Sequence, residues 1–229
     1  QGLAFYWKYK NSVTVWGREW VRKLQGQVCS QFTCMKTRVS YRVPKTYFLH
    51  QENDTVFLGM DYIKGMSGKS KYIVFVPSRK KLKNSIIDAL MNAQSIHNDK
   101  FGKYDNPTYD TWAEYYKDYF VDIYAFTKQK FEKKEIETEI MEAVELINKH
   151  FGEIFSVTNN TPCLCHGDFW MPNLIIDFWK SELAGAVDPF DMLWAEPEYE
   201  IFCLSLGFGE KLKLYEEYKK RNIKHLIWK

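Results

Sequence analysis

The chain has 229 residues, 45% hydrophobic, 17% aromatic and 27% charged, and its 32 basic and 29 acidic side chains leave a net charge of +3. That length suits one medium domain or two small lobes around a cleft. The near balance of charge argues against nucleic acid as the main partner, and no apolar run approaches a membrane span.

Residues 4–10 are aromatic and β-prone and predict a strand. Lys8 within it is either a solvated edge charge or a phosphate ligand. Residues 17–24 follow, with Trp16, Trp20 and Leu24 four apart, the spacing of a short amphipathic helix that carries Glu19. A strand lysine fixed by a helix glutamate is how kinases hold nucleotide phosphates, although lysines and glutamates are plentiful here. An irregular basic stretch runs through Arg42. Residues 43–49 and 55–62 then predict a hairpin around Gln51-Glu52-Asn53-Asp54. The glycines and serines of residues 63–70 read as a connector, which divides the chain into lobes of residues 1–63 and 64–229.

Residues 80–98 predict a helix from Leu82, Ile86, Leu90, Ala93 and Ile96. The basic cluster Arg79-Lys80-Lys81-Lys83 opens it, and such a run is usually a solvated face. His97, at its end, reads as structural. Asn106-Pro107 is a break. Thr111 and Glu114 make a capping box, and Trp112, Tyr115, Tyr119, Ile123 and Phe126 form a stripe expected to be core. Residues 133–151 predict another helix, with Ile136, Ile140, Ala143 and Ile147 on one face. A turn over 158–162 follows. Residues 189–197 read as irregular, Pro197 opens a helix over 198–206, Gly207-Phe208-Gly209 breaks it, and 210–221 form a last helix.

The five cysteines are an odd number without a C-x-x-C. They read as reduced thiols of a cytoplasmic protein, Cys163 and Cys165 sharing a strand face but making a poor bridge. The chain opens on Gln1, not Met, and without a signal-peptide pattern, so it reads as a fragment or processed product.

The chemistry concentrates in His166-Gly167-Asp168-Phe169-Trp170-Met171-Pro172-Asn173, set between the apolar runs 162–165 and 174–176. A third run, 183–187, delivers Asp188 to the same side. Asp168 and Asn173 fit H-x-D-x-x-x-x-N, the spacing of a kinase catalytic loop. In such a loop one carboxylate orients an attacking hydroxyl, while an Asn and a second Asp hold a metal on the phosphates. The D-x-x-x-x-N spacing alone is common by chance. The preceding His, the flanking strands and the later Asp make the combination specific. The bland alternative is a polar turn beside a satisfied core histidine. The order of elements gives an α+β protein, with a small sheet lobe, a larger helical lobe enclosing one small β-element, and a cleft between them.

These residues resemble the aminoglycoside phosphotransferase and choline kinase-like superfamily, and within it the fructosamine (ketosamine) kinases. The likeness lies in Leu164-Cys165-His166-Gly167-Asp168-Phe169-Trp170-x-x-Asn173, in Asp188-Pro189, in Glu198-Tyr199-Glu200-Ile201 with Leu206-Gly207-Phe208 and Leu214-Tyr215-Glu216-Glu217-Tyr218, and in Ser95-Ile96-His97-Asn98-x-x-Phe101-Gly102. It covers residues 55–221 well and is looser before them. It implies a protein-kinase-like two-lobe fold and ATP-dependent transfer of the γ-phosphoryl group to a small-molecule hydroxyl. The acceptor it implies first is a ketosamine, and second an aminoglycoside or other amino alcohol.

It also implies roles for residues. Asp168 matches the catalytic base, Asn173 and Asp188 the Mg²⁺ ligands, Lys8 the phosphate lysine and Glu19 its partner, with Lys10 as competitor to Lys8. Met60, Asp61 and Ile63 match the hinge that meets adenine. Trp170, Asp191 and Glu196, with Asp168, are expected to face the acceptor. An amine-bearing acceptor suits Asp191, Glu196 and Glu198, although Glu198 and Glu200 alternatively cap and solvate a helix. Only seven residues precede Lys8 and no Gly-rich loop is present, so the N-lobe reads as incomplete and a pseudokinase or binding module is the rival reading. The expected partners are a nucleotide and a small-molecule acceptor, not nucleic acid or a membrane.

Overall fold

The computed structural model describes residues 5–10, 38–52, 55–156, 161–189 and 192–221. The predicted helix over 17–24 with Glu19 lies outside the described residues, as does Asp191. Near the N-terminus, β1 (Phe5–Lys10), β2 (Thr46–Glu52) and β3 (Thr55–Met60) form an antiparallel sheet in the order β1-β3-β2. All three are rich in aromatic and β-branched residues, which suit a pleated surface. Lys8 lies opposite Phe57, and β2 and β3 form the expected hairpin.

The stretch read as a connector is more ordered than its composition suggested. Within it, β4 (Met66–Ser67) pairs with the later strand β8 (Leu174–Asp177). Glycine is required on either side. A Cβ at Gly65 would lie 2.6 Å from Ile175 Cγ2, and one at Gly68 would collide with the Met171 carbonyl oxygen. A 3₁₀ turn, Lys71–Phe75, leads to helix α1 (Arg79–Gln94), capped by Ser78. Its buried face, Leu82, Ile86, Ile87, Ala89, Leu90 and Ala93, forms the centre of the main core.

Asn106-Pro107 is not a break but part of a hairpin, β5 (Phe101–Lys103) and β6 (Asn106–Tyr109). Pro107 is tolerated because β6 is an edge strand. Helix α2 (Trp112–Glu132) carries the predicted capping box at Thr111 and Glu114. Its stripe is only partly core: Trp112 is buried, but Tyr119 is 51% and Phe126 56% exposed. The helix expected over 133–151 is interrupted. Lys134 takes a left-handed φ of 57° after α2, and α3 (Thr138–Lys149) and α4 (Phe151–Ile154) follow. Ile140 and Ile147 are exposed, since α3 packs chiefly on α2.

The single small β-element expected around the motif is two sheets. β7 (Cys163–Cys165) ends a four-stranded sheet ordered β6-β5-β10-β7, whereas β8 and β9 (Glu182–Ala186) belong with β4. The strand β10 (Leu193–Ala195), read from sequence as irregular, is buried throughout and pairs with β7. Helix α5 (Glu198–Ile201) continues as a 3₁₀ turn, Phe202–Ser205. The last predicted helix is divided by Lys213, at φ 55°, into α6 (Phe208–Leu212) and α7 (Leu214–Arg221). No described helix is long and apolar enough to cross a membrane.

Candidate active site

Because β7 and β8 lie in different sheets, the loop of residues 166–173 is stretched between them. Gly167 turns the chain at φ 87°, a conformation that favours glycine. The Asp168 amide donates to His166 Nδ1 at 3.4 Å, and the Asp168 carbonyl accepts from the Trp170 amide at 3.0 Å. Pro172 lies in the short 3₁₀ turn Met171–Asn173, closed by the Asn173 amide on the Trp170 carbonyl at 3.0 Å. Asn173 Nδ2 then donates to the Asp168 carbonyl at 3.0 Å and to Asp168 Oδ2 at 2.8 Å. Two of the three predicted catalytic side chains are therefore directly joined.

The third arrives by register. The pairing of Leu174 with Ala186 continues into a bond from the Val187 amide to the Asn173 carbonyl at 2.9 Å. Asp188 is the next residue, and its φ is 69°. A left-handed non-glycine residue of this kind costs about 1–3 kcal/mol, and such strain clusters at functional sites. Asn173 Oδ1 and the Asp188 carboxylate are hard oxygen donors. Among the described residues no three His, Cys, Asp or Glu side chains converge as a metal site. Mg²⁺ takes one or two protein oxygens and completes its shell from phosphate and water, which these two donors would suit.

Beneath the loop lies a group that sequence reasoning missed. Glu200, expected to cap or solvate a helix, is buried, and its Oε1 accepts from the Gly167 amide at 2.8 Å. Burial pushes its carboxyl up to about 8. The backbone amides of His166, Gly167 and Phe169 oppose this, and the charge of Asp168 adds to it. Burial likewise holds the His166 imidazole down at about 4, against a partial counter-effect of the Val187 backbone. The Tyr41 ring stands 5.8 Å from Phe169, and its buried hydroxyl has no hydrogen-bond partner. Burial first, then Glu200 and Cys165, raise the pKa of that hydroxyl. A signal was available: Glu200 falls four before Leu204, on the same apolar side of a helix.

Lys8 sits within β1, at the far edge of the sheet from β2. Met60 ends β3 and Ile63 is buried. The Asp61 amide donates to the Lys45 carbonyl at 2.9 Å, and its carboxylate accepts from the Lys45 amide at 3.1 Å and from the Tyr47 hydroxyl. A nucleotide contact from Asp61 would therefore use its carbonyl. Trp170 is half-buried, with its indole Nε1 lacking a hydrogen-bond partner. Glu196 is buried directly after β10. Cys163, Cys165 and Cys203 are free thiols, the first two with their sulfurs 3.7 Å apart.

A sequence profile described as fructosamine kinase matches residues 26–224. The Escherichia coli K12 protein YcbJ is 24% identical over 185 residues, covering 78% of this chain and 61% of that protein. The chain thus spans under two thirds of the length of this curated relative. Among solved structures, a candidate fructosamine-3-kinase from Haemophilus somnus superposes with a TM-score of 0.65 at 16% identity, over 95% of this chain and 68% of that one. The ADP-bound aminoglycoside phosphotransferase APH(2'')-Ib gives 0.63 at 22%, over 91% and 71%. The gentamicin complex of APH(2'')-IIa gives 0.62 at 20%, over 96% and 73%. The fold is therefore that of the kinase-like phosphotransferases, with a small sheet region and a helical region.

Proposed function

The chain belongs to the fructosamine kinase family, and from this we propose that it transfers the γ-phosphoryl group of ATP to a hydroxyl of a small molecule, with a ketosamine as the acceptor. The observation that carries the reading is the joined pair Asp168–Asn173 with Asp188 beside it in register. The acceptor oxygen attacks the γ-phosphorus, the bond from that phosphorus to the β–γ bridging oxygen breaks, and ADP leaves. Asp168, held in one orientation by Asn173, takes the hydroxyl proton. Mg²⁺, when bound by Asn173 Oδ1 and the Asp188 carboxylate, would neutralise charge on the phosphate oxygens. Lys8, fixed by Glu19, adds to that neutralisation, and the backbone of Met60, Asp61 and Ile63 receives the adenine. Trp170, Asp191 and Glu196 face the acceptor. The lobes meet at residues 63–64, and the reduced thiols suit a cytoplasmic setting. Most of the catalysis is positioning and electrostatics.

The test is Asp168→Asn, assayed for ADP release against a panel of acceptors that includes fructose-lysine and aminoglycosides. Turnover should vanish while the melting curve stays in place. Turnover retained in that variant overturns the assignment of the base. Turnover by the unaltered chain with aminoglycosides alone overturns the ketosamine.

A further inference from the structure

Away from the site, two turns put aromatic rings into solvent. In the 3₁₀ turn Lys71–Phe75, Ile73 is buried, while Tyr72 and Phe75 are 55% and 69% exposed. Side chains three apart eclipse in such a helix, so the two rings share a face. In the β8–β9 turn, Phe178 packs on the core while Trp179 stands 82% exposed, the highest exposure of any large hydrophobic among the described residues. The start of α1 is tied to both turns. The Ser78 amide donates to Ser181 Oγ at 3.0 Å, Lys81 pairs with Glu182 at 2.9 Å, and Arg79 Nε donates to the Val74 carbonyl at 2.8 Å.

The surround is basic. Lys69, Lys71, Arg79, Lys80, Lys81 and Lys180 are all exposed here. Against them stand Asp177 and Glu182, already paired with Lys180 and Lys81. Six of the named side chains are thus cationic and two acidic. None of these residues belongs to the proposed catalytic machinery. Trp179 packs edge-on against Phe178 at 5.1 Å and leaves the rest of its indole in water, and clustered exposed apolar surface marks interaction sites.

Its chemistry selects the partner. Aromatic rings at protruding tips, flanked by lysines, suit the boundary of a bilayer, where rings enter the headgroup zone and cations meet lipid phosphate. A nucleic acid also offers phosphate, but base stacking calls for rings that line a charged groove. Rings exposed to this degree stand proud of the surface. We propose that the face formed by Tyr72, Phe75 and Trp179 docks the protein peripherally on an anionic lipid surface. Such docking needs no spanning helix, and it stands independently of the proposed reaction.

The experiment is co-sedimentation of the full chain with phosphatidylcholine vesicles containing about 30% phosphatidylserine, in about 0.1 M salt. The chain should pellet with these vesicles, stay in solution with pure phosphatidylcholine, and be released by about 1 M salt. Trp179→Ala should weaken binding about tenfold, and Lys71→Glu with Lys80→Glu at least tenfold. Melting midpoints should fall by no more than a few degrees, because all three positions are exposed and lose only the ring contacts of Trp179 with Phe178 and of Lys71 with Tyr72. Absence of pelleting, or pelleting unaffected by both sets of substitutions, overturns the proposal. Tighter binding to single-stranded DNA than to vesicles at equal phosphate overturns it in favour of nucleic acid.

Discussion

Glu200, beneath the loop, and His166, at its start, bias the stability of the protein against pH in opposite senses. The Glu200 carboxyl rises from 4.5 to about 8 on folding. Above pH 4.5 the unfolded chain loses a proton that the folded protein keeps, so stability falls with pH until about 8. The His166 imidazole falls from 6.5 to about 4. Between those values the unfolded chain holds a proton that the folded protein lacks, so stability rises with pH until 6.5. Each slope is about 1.4 kcal/mol per pH unit. From pH 4.5 to 6.5 the two nearly cancel. From pH 6.5 to 8 only that of Glu200 remains, and stability should drop by about 2 kcal/mol.

Glu200→Gln isolates the two contributions. The amide keeps an oxygen for the Gly167 N–H and cannot ionise. In the variant, stability should rise by about 3 kcal/mol from pH 4.5 to 6.5, the His166 effect alone, and then stay level to pH 8. Urea unfolding followed by tryptophan fluorescence, in metal-free buffer at half-unit steps, measures both curves. Subtracting one from the other removes every other ionisable group. A flat difference from pH 4.5 to 8 would show Glu200 ionised throughout in the folded protein. Three backbone amides would then outweigh burial, and the reasoning would be refuted.

Asn173→Ala removes both the amide that orients Asp168 and a candidate metal oxygen. Initial-rate kinetics should show kcat reduced by about a hundredfold or more, with the KM for the acceptor changing far less. Gly68→Ala drives a methyl into the Met171 carbonyl and should cost about 1–3 kcal/mol in urea unfolding. Gly152→Ala, inside α4 with nothing within 4 Å, should instead gain up to about 1 kcal/mol. In Asp188→Gly, which removes the proposed metal carboxylate, calorimetric Mg²⁺-dependent ATP binding should disappear.

The geometry of the loop of residues 166–173 was legible because its information is local. His166, Asp168 and Asn173 are fixed by a turn of eight residues, and short apolar runs bounded by polar ones announce β7, β8 and β9. Helix α1 was legible for the same reason, its apolar period matching its buried face. What escaped depends on distant partners. β10 is a strand because Leu193, Trp194 and Ala195 pair with Cys165, Leu164 and Cys163, some thirty residues away, and nothing in their own composition says so. Pro107 signalled a break because the edge position that tolerates it is set by the sheet. Glu200 looked solvated because an acid's burial is set by amides donated from another element. The period of α2 and α3 gave helices with an apolar side, but period is silent on what covers that side, and Tyr119, Phe126 and Ile140 stayed exposed.

The placement of Asp188 binds the two halves of the site together. Asp168 and Asn173 hold each other, but Asp188 depends on β9, and β9 is held from outside its own sheet. The Ala186 amide donates to the Arg42 carbonyl at 3.0 Å, and Gly185 lacks a side chain because a Cβ there would strike that same carbonyl. Three residues on, the Lys45 carbonyl accepts from the Asp61 amide and the Lys45 amide donates to the Asp61 carboxylate, in the stretch proposed to receive the adenine. One short run, from Arg42 to Lys45, thus touches the strand that positions the proposed metal ligand and the stretch proposed to seat the base. Because the run makes these contacts through main-chain atoms, a backbone change such as Lys45→Pro, and not a side-chain truncation, should weaken ATP and Mg²⁺ binding together in calorimetry.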